Sequence, residues 1–279
     1  MDKPKKKKSN ALLIIAIVAV LGFGGAFGYY AYDYYLWWRD GQLAQESTDM
    51  MVDIFQEQVS EISNLVAAMP ALATIYDDQV VSVVFSSAVL DEARAMTDNA
   101  DIVAYIYIEG TNVNNVVLQG PDNSFYLYRD MFRNFNVNGA LFMDYRNTPD
   151  FNDPNTIIYG HNMRNGTMFH DLRYFTSQEF AQRHPHINVI TDDYVFIYEI
   201  FSVFTTRIDF YYIQVFFADQ DEFGALVNEI SRRGIFNTGV AATADDNILV
   251  LSTCTNVDDD TRIVVVGRLA QIIEIEREE

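Results

Sequence analysis

The chain has 279 residues, enough for one or two domains, and 49% of them are hydrophobic, which is ample for a packed core. Its formal net charge is −20, but residues 1–10 carry five Lys against one Asp, which leaves −24 on the rest of the chain. The strong negative charge of the chain after residue 10 argues against a nucleic-acid-binding protein, because binding to phosphates requires a basic surface.

The first predicted element is a membrane anchor. The Lys-rich tail of residues 1–10 is followed by residues 11–32, which contain no charged side chain. A helix of that length rises about 33 Å, enough to cross a hydrocarbon core of about 30 Å. Because positive charge stays in the cytoplasm, the sequence predicts a single-pass protein with a cytoplasmic N-terminus and an extracellular body. An aromatic belt for the outer interface follows at Tyr29, Tyr30, Tyr32, Tyr34, Tyr35, Trp37 and Trp38.

A cleaved signal peptide is the alternative to an anchor. Gly24, Gly25 and Ala26 are small enough for a cleavage site, but the apolar run continues beyond them without an A-x-A pattern. On either interpretation most of the chain lies outside the cytoplasmic membrane.

Residues 33–100 are predicted to form a juxtamembrane link and an N-terminal helical region. The link spans residues 33–40, and residues 41–69 carry apolar side chains at helical spacing until Pro70 interrupts them. The segment 91–96 is the most helical part of the remainder.

Residues 101–279 are predicted to form a mostly β domain. Turn signals separate short β-rich runs at 102–108, 116–119, 124–128, 140–145, 156–161, 187–190, 194–206, 211–217, 248–254 and 262–270. Helical segments are expected at 168–184 and at 219–234, the second of which ends at a Gly suited to a C-cap. So many short strands with two helical inserts predict a closed or nearly closed β-barrel.

Cys254 is the only cysteine of the chain, and it ends one of these β-rich runs. An exported protein that uses cysteine structurally normally has an even number for disulfides. Cys254 is therefore an intermolecular partner, an inert buried residue or a reactive thiol. A metal site built from several cysteines is excluded.

A reactive thiol needs an imidazole nearby and a donor for a developing oxyanion. Of the four histidines, His161 closes a β-rich run just before a turn, where a rigid strand would deliver it to a surface site. Arg262 begins the run after Cys254, so the two residues lie at neighbouring ends if those strands are adjacent.

Two segments have a metal-binding alternative. His184 and His186 flank Pro185, but they have no third ligand at suitable spacing, so a partly exposed structural pair is the preferred interpretation. The consecutive residues 258–260 are all Asp and could bind Ca²⁺, but they lack EF-hand spacing and are better explained as a solvated loop. No metal and no cofactor are predicted.

Three segments resemble the catalytic segments of sortases, and of class B sortases in particular. They are IIYGHNMRNGTMF at 157–169, LSTC at 251–254 and TRIVVV at 261–266, and the segments 116–130 and 139–147 also have class B character. The resemblance covers roughly residues 101–270. It implies an eight-stranded sortase β-barrel at 101–279, preceded by N-terminal helices, with helix 219–234 inserted between two late strands.

The same resemblance implies roles for individual residues. Cys254 is the expected nucleophile, His161 the general acid and base, and Arg262 the residue that positions substrate and stabilises the oxyanion. Six further residues are expected to line the substrate groove, with plain core or rim packing as the alternative for each: Asn123, Leu127, Tyr159, Tyr212, Ile213 and Ser252. Val250 and Thr255 depart from the family pattern beside Cys254, and the loop that leads to Arg262 is short.

The implied activity is that of a membrane-anchored cysteine transpeptidase of the cell wall. It would cleave a C-terminal sorting signal after Thr through a thioacyl-enzyme and pass the protein to an amine of a peptidoglycan precursor. The expected partners are surface proteins or pilins with NPxTx- or S/NPxTG-like signals. A pilus-polymerising enzyme with a pilin Lys as acceptor is the alternative within the family.

Alternatives outside the family stay open at this point. Papain-like proteases usually place Cys at a helix N-terminus and before His in the sequence, whereas here His161 precedes Cys254 on a strand. An L,D-transpeptidase would have a motif around its Cys that is richer in Gly and Arg. From another class, a membrane-tethered binding module with an inert Cys254 remains an alternative.

Overall fold

The computed structural model describes residues 11–72, 82–85, 89–207, 209–254 and 261–277. The chain begins with one helix, α1 (Ala11–Leu72), which includes the expected link at 33–40 and passes Pro70. Within the described part of the chain, no helix is both long and apolar enough to cross a membrane, so the transmembrane helix predicted over 11–32 is not confirmed. The side chains of several residues of that segment, and the whole tail 1–10, lie outside what the structure describes.

In the described ranges, three further α-helices and nine strands follow α1. The helices are α2 (Val89–Thr97), α3 (Gln178–Arg183) and α4 (Gln220–Arg233). The strands are β1 (Ser82–Phe85), β2 (Ile102–Tyr107), β3 (Asn114–Leu118), β4 (Leu141–Met143), β5 (Asn155–Tyr159), β6 (His186–Ile190), β7 (Tyr194–Arg207), β8 (Ile248–Cys254) and β9 (Thr261–Arg277).

The strands form one sheet in the order β1-β9-β7-β6-β2-β3-β4-β5-β8, and β8 also pairs with β9. This last pairing closes β2 to β9 into a ring, so the predicted eight-stranded barrel is confirmed. The short β1 is a ninth strand that pairs in parallel with the far end of β9. The length of β9, 17 residues, lets it contact β7, β8 and β1 at once.

Apolar residues pack on both faces of the sheet, and this is why the strands are nearly continuous apolar runs. Inside the barrel lie Ala104, Ile106, Leu249, Leu251 and Val265, all buried. Outside it, α1 and α2 cover one face, where Phe55 of α1 stacks on Tyr105 at 3.9 Å between ring centroids. Helix α4 covers another part with Phe223, Val227 and Ile230.

Three predicted elements differ from the structure. The expected strand at 124–128 is a turn with a 3-10 helix (Tyr126–Tyr128), because the Asp122 carboxylate accepts the amides of Ser124 and Phe125 and folds the chain back. The expected helix at 168–184 is split into a 3-10 helix (His170–Thr176) and α3. The run 211–217 does not form a strand.

The predicted helix at 219–234 is confirmed as α4. The Asp219 side chain caps its first turn by accepting the amide of Glu222 at 2.9 Å. Gly234 follows its last residue with φ −49°, so it closes the helix without the left-handed conformation that usually favours Gly there.

Candidate active site

The C-terminal ends of β5 and β8 and the start of β9 meet at one edge of the barrel. In the parallel pair β5–β8, Tyr159 is the register partner of Ser252. His161 and Cys254 each lie two residues beyond that pair, on neighbouring segments of chain. In the antiparallel pair β8–β9, Cys254 is the register partner of Arg262. The structure therefore brings the three residues singled out in the sequence to one place, and for Cys254 it describes the backbone.

A cleft of about 250 Å³ opens at this edge. All six residues that were expected in the groove line it, together with His161 and Arg262, and five lining residues were not anticipated: Phe142, Gly160, Phe210, Tyr211 and Thr253. The cleft is walled mainly by aromatic and aliphatic side chains with a few convergent polar groups. This composition is typical of a small-molecule or peptide site.

The His161 ring has a fixed partner. Its Nε2 lies 2.7 Å from the carbonyl oxygen of Leu127. Its ring is tilted by 39° against the ring of Tyr128, with 5.7 Å between the centroids. A carbonyl oxygen can only accept, so this bond places a proton on Nε2 and leaves Nδ1 as the nitrogen that gains or loses one. Burial lowers the pKa of His161, and the bond to Leu127 offsets this only in part. His161 is therefore neutral near pH 7.

Leu127 thus contributes its backbone as well as its side chain. A sequence pattern identifies residue types, and a carbonyl that orients an imidazole leaves no residue-type signal. The role of the Leu127 carbonyl could be found only from the structure.

Gly160 separates Tyr159 from His161 and allows the strand end to approach the core. A Cβ atom at this position would lie 2.4 Å from Cδ2 of Leu141 and 2.8 Å from Cδ2 of Phe169. Real Cβ atoms do not approach neighbours so closely, so any larger residue before the imidazole would force Leu141, Phe169 or the strand end to move. The glycine in the sequence IIYGHN was the available signal.

Tyr212 and Ser252 form a buried hydroxyl pair at the floor of the cleft. Their side-chain oxygens are 2.7 Å apart, and both residues are at most 5% exposed. Ser252 and Cys254 stand at alternate positions of β8 and so belong to the same face of the sheet. The Tyr212–Ser252 bond therefore fixes the segment after β7 against the strand that ends at Cys254.

Arg262 is half-buried at the start of β9 and lines the cleft. Its Nη1 lies 3.3 Å from the carbonyl oxygen of Thr261. Because register partners in an antiparallel pair have Cβ atoms about 4.5 to 5.5 Å apart, Arg262 and Cys254 occupy adjacent positions of one face.

The other histidines lie away from this cleft. His170 Nδ1 bonds to the carbonyl of Met163, and His184 Nδ1 lies 2.7 Å from that of Glu109. Burial lowers the pKa of His186, despite the nearby Glu199 and Glu109. Among the residues that the structure describes, no group of three or more His, Cys, Asp or Glu side chains could hold a metal ion. The acidic run 258–260 lies outside the described residues.

Comparison with known proteins gives concordant results. The family pattern described as Sortase domain matches residues 106–270. Sortase B of Listeria monocytogenes is 34% identical over 198 residues, which cover 70% of this chain and 80% of that protein. Sortase B of Staphylococcus aureus is 34% identical over 176 residues, which cover 62% of this chain and 72% of that protein. The solved S. aureus sortase B–substrate complex superposes with TM-score 0.62 at 29% identity, covering 78% of this chain and 98% of that one.

Proposed function

Because the chain belongs to the sortase family of cysteine transpeptidases and resembles its class B members, we propose that Cys254, His161 and Arg262 form its catalytic centre. Cys254 is the nucleophile, His161 the general acid and base, and Arg262 the donor to the oxyanion. The observation that carries this proposal is the register of β8: Cys254 pairs with Arg262 and lies two residues beyond the Tyr159–Ser252 pair, as His161 does.

The reaction begins with attack by the Cys254 thiolate on a Thr carbonyl of the sorting peptide. A C–S bond forms, and the electron pair of the carbonyl moves to oxygen, where the Arg262 guanidinium stabilises the charge. The C–N bond then breaks as the amine departs with a proton from Nδ1 of His161, while Nε2 keeps its bond to the Leu127 carbonyl. The product of this half-reaction is a thioacyl-enzyme.

Resolution of the thioacyl-enzyme reverses these steps with a new amine. The acceptor amine attacks the thioester and gives up a proton to Nδ1 of His161, and the C–S bond breaks to release Cys254. The resting pair is thiol and neutral imidazole, because the pKa of a cysteine is ordinarily about 8.5 and burial keeps His161 uncharged. The reactive thiolate–imidazolium pair is a minor species, and this implies a slow enzyme.

The substrate class follows from the cleft and from the family. The apolar walls and the polar floor of Tyr212 and Ser252 suit an extended peptide segment with one hydroxyl-bearing residue, such as Thr. The partners are surface proteins with a C-terminal sorting signal, and the acceptor is the amine of a peptidoglycan precursor. The related S. aureus protein has been solved as a substrate complex.

The proposed location is the outer face of the cell membrane. The basic residues 1–10 and the uncharged residues 11–32 support a single-pass anchor with a cytoplasmic N-terminus and an extracellular catalytic domain.

A peptide-cleavage assay tests the proposal. Fluorogenic peptides of the NPxTx, SPxTG and LPxTG types are incubated with wild-type protein and with Cys254→Ala. We expect cleavage of at least one type by the wild type and none by the variant, with unchanged circular dichroism. Equal cleavage by Cys254→Ala would overturn the assignment.

A further inference from the structure

An ion pair between Asp144 and Arg146 lies directly beneath the cleft. Asp144 follows β4 and is 0% exposed, and its carboxylate accepts the backbone amide, Nε and Nη2 of Arg146 at 3.0, 2.8 and 2.7 Å. A planar guanidinium that bonds a carboxylate through two nitrogens is held more rigidly than a lysine ammonium would be. Arg146 is thus fixed in one orientation.

The remaining bonds of this carboxylate reach one wall of the cleft. Oδ2 of Asp144 accepts Nδ2 of Asn123 at 2.9 Å and the hydroxyl of Tyr159 at 2.8 Å. Oδ1 of Asn123 in turn accepts the backbone amide of Tyr145 at 3.0 Å. The two bonds together set the Asn123 side-chain amide in one orientation. The two cleft residues of this wall therefore have their polar groups directed by Asp144.

The protonation states support this arrangement. Burial alone would raise the pKa of Asp144, but the bonds from Arg146, Asn123 and Tyr159 outweigh it and hold that pKa below its ordinary value. Burial, with the neighbouring Asp144 charge, raises the pKa of Tyr159, so its hydroxyl stays a donor. The network keeps the same charges across the physiological pH range.

The other side of Arg146 reaches a second wall of the cleft, formed by the segment 211–214. Its Nη2 donates to the carbonyl oxygen of Ile213 at 2.9 Å, and its Nη1 donates to the hydroxyl of Tyr211 at 2.8 Å. Asn155, which is fully buried, donates to the carbonyl oxygens of Tyr212 and Gln214 at 3.0 and 2.8 Å. Three successive carbonyls of this wall are therefore bonded to side chains in place of a strand ladder.

We propose that Asp144 and Arg146 are positioning residues that hold both walls of the cleft at the spacing that fits the sorting peptide. This inference rests on the proposed function, and it adds a determinant of peptide affinity. Neither residue contacts the reacting atoms, and both act through Asn123, Tyr159 and the segment 211–214. Loss of Arg146 removes the bonds to Tyr211 and Ile213, so that Asn155 alone bonds the carbonyls of segment 211–214. Asp144 still holds Asn123 and Tyr159.

The test compares Arg146→Met and Arg146→Lys with a matched control, Arg268→Met. Arg268 is also half-buried and paired with a carboxylate, Glu199 at 2.8 Å, but it does not line the cleft. For Arg146→Met we expect the KM of the preferred peptide to rise about ten-fold with kcat changed much less, as for loss of substrate positioning. Arg146→Lys should recover part of that loss, and Arg268→Met should keep the wild-type KM.

Two further measurements separate positioning from misfolding. The rate at which iodoacetamide alkylates Cys254 should be the same in Arg146→Met as in wild type, because a small reagent does not need the walls. Tyr211→Phe removes only the bond to Arg146 from a side chain that is 54% exposed, so it leaves the core untouched. We expect it to raise KM by about two- to three-fold, the value of one surface hydrogen bond.

Wild-type KM values in Arg146→Met and Tyr211→Phe would overturn this inference, as would an equal rise in Arg268→Met. In those outcomes the wild type still cleaves peptide, so the proposed function stands. Failure of the wild type to cleave any peptide would overturn the proposed function, and the inference with it.

Discussion

Cys254 and Arg262 lie directly opposite each other in the antiparallel pair β8–β9. The register places the two residues on one face of the sheet, although seven residues separate them in the chain. The pairing thus places Arg262 beside the backbone position of Cys254 on the neighbouring strand, and this placement depends on the register along the whole length of β8. Rigid strands hold such a pair more accurately than loops would.

Replacement of Arg262 should reduce the rate of the chemical step. We expect Arg262→Met to lower kcat by about a hundred-fold, as loss of one oxyanion donor does. Arg262→Lys should restore only part of this, because an ammonium lacks the planar fork of donors. Steady-state kinetics with the preferred peptide measure both variants. Arg268→Met, on the same strand, should keep the wild-type kcat, and a wild-type kcat in Arg262→Met would contradict the role.

The pH dependence of stability should report on His161. Burial lowers the pKa of His161 in the folded protein below its ordinary value of 6.5, so the unfolded chain binds the proton more readily. The stability tied to the neutral ring is therefore complete above that ordinary value and is lost as the pH falls toward the folded pKa. The free energy of unfolding of the wild type should fall more than that of His161→Gln between about pH 7.5 and about pH 5.5.

Urea denaturation at the two pH values measures this difference. His186, whose pKa is also lowered, is present in both proteins, so its contribution cancels in the comparison. Equal losses of stability in wild type and His161→Gln would show that the folded environment does not disfavour the charged ring.

Gly160→Ala should destabilise the protein and impair catalysis together. The added methyl group would meet Leu141 and Phe169 at distances that force one of them or the strand to move. Overpacking of this kind costs about 1 to 3 kcal/mol, and the displaced strand end carries His161. Gly224→Ala is the control, since it lies in α4 and its new methyl group would meet only Ala244, at 3.1 Å. Thermal unfolding and peptide cleavage should both be impaired in the first variant and near wild type in the second.

Tyr212→Phe should cost stability because it leaves the Ser252 hydroxyl without its partner. The loss of one buried hydrogen bond lowers the free energy of unfolding by about 1 kcal/mol. Adding Ser252→Ala to the Tyr212→Phe protein should recover part of that free energy. The matched control is Tyr198→Phe, because the Tyr198 hydroxyl is buried without a hydrogen-bond partner in the described part of the chain. Denaturant unfolding of Tyr212→Phe, Ser252→Ala and the double variant measures the coupling, with Tyr198→Phe as the control. Additive effects of Tyr212→Phe and Ser252→Ala would contradict it.

The sequence predicted those parts of the fold and the candidate site that depend on residue types within short segments. Short segments were enough to single out His161 and Cys254 at the ends of two strands and Arg262 at the start of a third. The number of strands and the helical inserts predicted a β-barrel, and the resemblance to sortases implied that it has eight strands. The family comparison confirms the sortase and its class B character.

What the sequence did not predict depends on contacts between distant segments. The run 211–217 looks like a strand from its side chains, but its carbonyls are bonded to Asn155 and Arg146, more than fifty residues earlier. Asp144 and Arg146 lay within a segment already associated with class B, yet nothing in their local pattern shows that they connect two walls of a cleft. The 3-10 turn at Tyr126–Tyr128 has a local cause instead, because the Asp122 carboxylate accepts the amides of Ser124 and Phe125.

The most direct test of the catalytic assignment is to trap the thioacyl-enzyme. Wild-type protein is mixed with an excess of the preferred sorting peptide in the absence of an amine acceptor, quenched with acid, and examined by intact-mass and peptide-mapping mass spectrometry. The account predicts an adduct with the mass of the acyl fragment that ends at Thr, on the peptide that contains Cys254 and absent from Cys254→Ala. Cleavage of the sorting peptide without any adduct on Cys254, or an adduct on another residue, would contradict it.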